Sequence, residues 1–279
     1  MVAHMVNGDK PLAYVLGTQP FHPLVLPLLV RPPTLIPRPE TEHWVSHLAS
    51  RILTSSSPPL SSAPTAPPFR LLDIGTGSGC IALALAAHLR SADRAVQCTA
   101  VDRAPTALAL ATENAARQSL SDVVAVREAD LFSPSFAAAL TDGDGFDLVV
   151  SNPPYITRAE YVELDPSVRA WEDRGALVGE GEERGDGRAR AQGAAAADDD
   201  DGLVFYRRIV SLLDELLAAR SRAPRSAPVV AFEVGQGQAR AVERLLRDWR
   251  AADCAKLETD VVRDPWGIER AVFARWRDE

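Results

Sequence analysis

The 279-residue chain predicts an α/β protein built on a Rossmann-like sheet. Three observations point there. From residue 69 onward, short apolar runs alternate with helical stretches. The first run enters a glycine-rich turn that opens a helix, Asp73-Ile74-Gly75-Thr76-Gly77-Ser78-Gly79. The next two runs end in Asp102 and Asp130, where strands of such a sheet present polar groups to a ligand.

Taken in order, residues 11–37 read as a β-rich lead-in punctuated by Pro20, Pro23, Pro27, Pro32 and Pro33. Pro39 to Leu53 reads as a helix, with Glu40 and Glu42 in the first turn, where a helix dipole favours carboxylates. Thr54 to Pro68 is an uncharged Ser/Pro stretch of linker composition. Leu71 to Ile74 is a strand and Cys80 to Arg90 the helix after the glycine turn. Val96 to Asp102 follows at the spacing of a βαβ unit, and Val123 to Asp130 makes a third strand. Asp147 to Ser151 is a buried strand stopped by Pro153 and Pro154, which cannot donate to a ladder. Val229 to Val234, Leu257 to Val262 and Arg270 to Trp276 complete the set. The chain divides into a lead-in at 1–37, a helix at 38–53, a linker at 54–68, and a domain at 69–279 interrupted by a low-complexity acidic insert at 180–201. It has no internal repeat.

The glycine turn suggests a cofactor. Glycines let the backbone approach a ligand at positive φ, and the helix behind them aims free N–H groups at the same point. A pyrophosphate site would place a third small residue one position later and would not tolerate Asp73. A ligand bearing an ammonium and a sulfonium suits that acid, and S-adenosylmethionine (SAM) is one. Asp102 then serves the two ribose hydroxyls and Asp130 the adenine amino group, with Leu131 and Phe132 beside the ring. The candidate cofactor residues read from these segments are Asp73, Gly75, Thr76, Gly77, Ser78, Gly79, Asp102, Asp130 and Leu131.

Asn152-Pro153-Pro154-Tyr155 carries the reaction. Pro153 keeps Asn152 out of the helical region, at the carboxyl edge of the sheet. The Asn152 side-chain carbonyl and the Pro153 backbone carbonyl can accept both hydrogens of a planar NH2 group, and Tyr155 offers it a flat face. That arrangement suits methylation of an amide or exocyclic amine nitrogen. Asn152, Pro153 and Tyr155 are the candidate catalytic residues, and with Pro154 they form the substrate site. Alone, the tetrapeptide is also an ordinary strand-ending turn.

With these motifs the chain resembles the HemK/PrmC family, protein N5-glutamine methyltransferases that modify the Gly-Gly-Gln motif of peptide-chain release factors. Pro11 to Gly17, Leu35 to Glu42, Gly202 to Ile209 and Glu233 to Gln238 match further family blocks. Gly17-Thr18-Gln19-Pro20-Phe21 is most similar to the fungal mitochondrial branch. The resemblance implies a class I SAM-dependent methyltransferase with a seven-stranded sheet, mostly parallel with an antiparallel C-terminal pair, behind a small β-hairpin. It implies a release factor as protein partner, no metal, a mitochondrial address, Asn152 as a further cofactor-binding residue lining the SAM pocket, and Arg38 and Glu42 near the mouth of the site. It also implies a helical domain ahead of Pro11; only ten residues precede Pro11 here, so that domain is expected to be missing or truncated. The family's Glu-Pro-x-x-Ala-Leu segment reads Glu172-Asp173-Arg174-Gly175-Ala176-Leu177, without its proline.

Composition narrows the partners. The net charge is −8; residues 180–202 contribute −5 (eight acids, three arginines), leaving −3 elsewhere. That leaves no basic excess for phosphates, so no direct nucleic-acid partner is expected. No run of eighteen apolar residues occurs, so no membrane partner is expected, and a monomer is. Cys80, Cys98 and Cys254 form neither a disulfide framework nor a zinc pattern. Met1 to Lys10 lacks the arginine-rich character of a transit peptide, which keeps a cytoplasmic location as the alternative to a mitochondrial one. An N6-adenine methyltransferase on DNA or RNA, and a non-catalytic scaffold with the same fold, are the competing functions.

Overall fold

A computed structural model describes residues 10–55, 67–141, 143–180, 200–218 and 226–277. Most of the linker 54–68, most of the insert 180–201 and the Arg220, Arg222 and Arg225 cluster lie outside the described residues. Two short strands, β1 (Thr18–Gln19) and β2 (Leu28–Leu29), pair antiparallel in the lead-in. A seven-stranded sheet follows: β3 (Phe69–Ile74), β4 (Val96–Asp102), β5 (Val124–Glu128), β6 (Leu148–Ser151), β7 (Val230–Glu233), β8 (Leu257–Arg263) and β9 (Glu269–Trp276). Its order is β5-β4-β3-β6-β7-β9-β8. All neighbours are parallel except β7–β9 and β8–β9. The sheet is the seven-stranded, mostly parallel one with an antiparallel C-terminal pair that the family resemblance implies.

The central strands are apolar on both faces because helices cover both. β6 and β7 are buried at every position, as parallel strands between two helical layers must be. Register assigns each residue to a face. Leu72 sits opposite Val149, and both face a core with Tyr206, Phe232 and Leu246. Leu71 sits opposite Leu148, and with Val150 and Ala231 they face a second core, with Trp44, Leu48 and Leu85. The helix Pro39–Thr54 supplies Trp44, Val45, Leu48 and Ile52 to that second core, with Pro39 at its first turn.

The lead-in is less β-rich than its sequence predicts. Leu12–Leu16 is a helix, ended by Gly17 at φ +74°. The β1–β2 ladder has two residue pairs; at its loop end Pro20 and Pro27 cannot extend it. A buried asparagine ties the lead-in to the rest. Asn114 Oδ1 accepts from Leu29 N at 2.8 Å, while Nδ2 donates to Leu29 O at 3.1 Å and to Ser78 O at 2.9 Å. One side chain thereby joins β2, the helix Pro105–Arg117 and the glycine turn.

Candidate functional site

The carboxyl ends of β3 and β6 lie side by side, Ile74 opposite Ser151, where the strand order reverses. Such a switch point opens a crevice beyond the strand ends. Ser151 Oγ donates to Ile74 O at 2.7 Å, locking the two ends together. Gly75, Gly77 and Gly79 all have positive φ, +72°, +56° and +85°. A Cβ on Gly75 would meet nothing within 4 Å, so its backbone is open to a ligand. Gly75, Thr76, Gly77 and Ser78 line the cavity above the strand ends.

Asp73 and Gly79 serve the turn differently from the sequence expectation. Neither lines the cavity. Asp73 is fully buried; its Oδ2 accepts from Thr76 Oγ1 at 2.7 Å and from Ala82 N at 3.2 Å. Its Oδ1 is buried with no partner among the described residues. Burial pushes its pKa up to about 7, against the opposing effect of the Thr76 and Ala82 bonds. Asp73 therefore braces the turn from beneath, and the expected direct contact with a cofactor ammonium is corrected to this role. A Cβ on Gly79 would lie 3.1 Å from Leu83 Cδ1 and 3.4 Å from Ala111 Cβ, so this glycine serves close helix packing instead of ligand contact.

The two other acids do reach the cavity. Asp102, last residue of β4, accepts from Gly77 N through Oδ2 and from Ala104 N through Oδ1, both at 2.9 Å. Each oxygen keeps a second lone pair for a hydroxyl. Asp130 lies two residues past β5, a strand shorter than expected, and its Oδ1 accepts from Phe132 N at 2.9 Å. Leu131 and Phe132 line the same wall, with Phe132 edge-on to Phe205 at 5.2 Å between ring centres. A hydroxyl-binding carboxylate, an apolar slot and an open glycine backbone suit a ribose, an adenine and a backbone-hugging chain. The donor set fits SAM.

Asn152 and Pro153 stand between two cavities. The first is the cofactor cavity; the second is lined by Tyr155, Ile156, Leu164, Val168, Leu177 and Glu233. Leu35, Arg38, Asn152, Pro153 and Ala176 line both, and Pro154 lines the first. The Asn152 side chain makes no hydrogen bond to a described residue, which leaves its amide to a ligand. Burial, with Glu233 adding to it, raises the Tyr155 hydroxyl above its ordinary range, so the ring works as an uncharged surface.

Several wall residues were not among the site residues expected from the sequence. Pro33, Thr34, Leu35 and Pro37 bring the lead-in over the cavity as a roof, with Asp173, Gly175 and Ala176 beside them. Arg38, expected at the mouth, joins the two segments: its Nη2 donates to Glu172 Oε1 and Oε2 at 2.7 and 2.8 Å, and Asp173 N donates to Pro33 O at 2.7 Å. Glu42 does not line either cavity; its carboxylate accepts from His22 N at 2.9 Å. Glu233 is buried, and its Oε2 accepts from Thr41 Oγ1 at 2.6 Å and Trp44 Nε1 at 2.7 Å. Burial raises its carboxyl pKa, opposed by those two bonds.

Residues 50–165 match the family model described as the methyltransferase small domain. The chain is 37% identical over 267 residues to the release factor glutamine methyltransferase of Geobacter sulfurreducens, covering 95% of this chain and 73% of that protein. Proteins of the same description from Chlorobaculum tepidum and Fusobacterium nucleatum are 42% and 31% identical, over 61% and 99% of this chain and 53% and 62% of their own. The chain thus spans between about half and three quarters of these bacterial relatives. Among solved structures, human methyltransferase 10 domain containing protein superposes with a TM-score of 0.54 at 16% identity, covering 88% of this chain and 86% of that one. The N-terminal domain of human METTL16 in complex with SAH superposes with a TM-score of 0.51 at 18% identity, covering 90% and 76%. At those identities the likeness is one of fold.

Proposed function

The chain belongs to the release factor glutamine methyltransferase family, and from that premise we propose that it methylates the side-chain amide nitrogen of the glutamine in a release factor's Gly-Gly-Gln motif. The observation that carries the reading is the shared wall. Asn152 and Pro153 separate a cavity suited to SAM from a second, mostly apolar cavity that holds Tyr155.

SAM, when bound, supplies an electrophilic methyl group on a sulfonium. The chain's residues do the positioning. Asn152 Oδ1 and the Pro153 carbonyl take the two amide hydrogens and point the nitrogen across the wall, while Tyr155 packs on the amide plane. Orientation of this kind removes roughly 7–11 kcal/mol of barrier for well-aligned reactants. As the nitrogen bonds the methyl and the methyl–sulfur bond breaks, leaving a neutral thioether, positive charge develops on nitrogen; the two fixed carbonyls stabilise it, and one of the two protons they hold then passes to solvent. Asp102 would hold the ribose and Asp130 the adenine amino group, and the Gly75 to Ser78 backbone would hold the rest of the cofactor.

The same reading has the chain engage no nucleic acid directly, supported by its net charge of −8, and act as a monomer. A mitochondrial address in the fungal branch is supported by Gly17 to Phe21 alone. Imaging of the tagged native gene product would test it: cytoplasmic signal would reject the address.

The activity is tested with labelled SAM and three acceptors: a release factor, its Gly-Gly-Ala variant, and an adenine-containing oligonucleotide. Label on the wild-type factor alone is expected. Label on the oligonucleotide would move the reading to adenine, and SAM binding with no transfer to any acceptor would reject the glutamine reading.

A further inference from the structure

The block Glu233-Val234-Gly235-Gln236-Gly237-Gln238 has no part in the reaction as described, yet it presses on Tyr155. Gln238 uses its whole amide. Its Nε2 donates to Tyr155 O at 2.9 Å and to Asp201 O at 3.1 Å, and its Oε1 accepts from Gly235 N at 3.1 Å. The opposite amide orientation would set NH2 against N–H and oxygen against two carbonyls, so the side chain has one satisfied arrangement.

Glycines close the loop from the other sides. A Cβ on Gly235 would lie 3.0 Å from Tyr155 Cδ2 and 2.7 Å from Gln238 Oε1. A Cβ on Gly202, which has φ +68°, would lie 2.0 Å from Tyr155 O. Gln238 directly precedes the helix Ala239–Asp248, and Glu233 ends β7, so the loop is tied to two regular elements. Asn152 is anchored elsewhere, by β6 and the Ser151 bond to β3.

We propose that Gln238, with Gly235 beside it, is the positioning residue that holds Tyr155 at the glutamine cavity, independently of the cofactor cavity. The proposal rests on the glutamine reading above for its kinetic consequence, though not for its structural one. Neither Gln238 nor Gly235 lines either cavity, so their effect on a substrate passes through Tyr155.

The test uses the full chain as wild type, Gln238→Ala, Gln238→Glu and Gly235→Ala. Transfer to the release factor is measured with SAM affinity by calorimetry and fluorine NMR of fluorotyrosine-labelled protein. The chain has four tyrosines, and Tyr155→Phe assigns the one in question. We expect kcat/KM for the acceptor to fall about a hundredfold, the loss typical of a misplaced reacting group. SAM affinity should be unchanged, and the Tyr155 resonance should move while Tyr14 and Tyr161 stay. SAM affinity falling in step with transfer, or an unmoved Tyr155 resonance, overturns the proposal. If wild-type protein methylates no release factor, the glutamine reading fails by itself. The fluorine spectra then decide this proposal alone: a shifted Tyr155 supports it, an unshifted one rejects it.

Discussion

Replacing Asp73 with Asn should make the protein more stable at neutral pH than wild type, by an amount that grows with pH. Asp73 is fully buried beneath the glycine turn, with one oxygen twice bonded and the other unpartnered. Its pKa rises from 3.8 to about 7 on folding. In acid, below both values, the residue is protonated in both states and contributes nothing to pH dependence. Between them the unfolded chain releases the proton while the folded chain keeps it, so stability falls as pH rises. Above about 7 both forms are ionised and the penalty is complete. A shift of about three units at about 1.4 kcal/mol each comes to roughly 4 kcal/mol. Asn keeps an oxygen for Thr76 and Ala82 and cannot ionise, though its NH2 faces the unpartnered site, which subtracts a pH-independent amount. Urea unfolding of both proteins, at steps from about pH 4.5 to about pH 8, isolates the term, since other carboxylates cancel in the difference. A difference between the two that is flat across this range would refute the reasoning.

Asn152→Ala should lower methyl transfer by about 10²–10³-fold, the loss seen when one preorganised charge-stabilising group is removed, with the melting temperature unchanged because its side chain bonds to no described residue; a loss below tenfold in single-turnover kinetics would remove Asn152 from catalysis. Asn114→Ala strips three hydrogen bonds from Leu29 and Ser78, and should cost about 2–3 kcal/mol in chemical denaturation. Arg38→Met leaves the Glu172 carboxylate, 1% exposed, without its cation. The cost should be about 2–3 kcal/mol, below the fully buried range because Arg38 is 34% exposed. The same variant should also weaken SAM binding, measured by calorimetry, because the pair joins the two halves of the roof.

What the sequence determined by itself is what local chemistry dictates. The glycine turn, the acids ending β4 and following β5, and the proline-stopped strand before Asn152 are all readable within a few residues. Backbone rules act over that range: glycine admits positive φ, proline ends a ladder, and uninterrupted apolar strands require helices on both faces. Those rules placed Asp102, Asp130, Leu131 and Asn152 at one sheet edge without any knowledge of packing. Only the tertiary structure decided which of these residues face the cavity. Asp73 and Asp102 both belong to strand ends, yet one is fully buried and the other lines the site, since side-chain direction follows from register and overlying helices. The lead-in became a roof through Asn114, 85 residues from Leu29. Glu233 meets Thr41 and Trp44 across about 190 residues. Tyr155 meets Gln238 across 83. Contacts at such separations leave no periodicity or spacing to read, because the chain is free to bring any two such segments together until the sheet order is set.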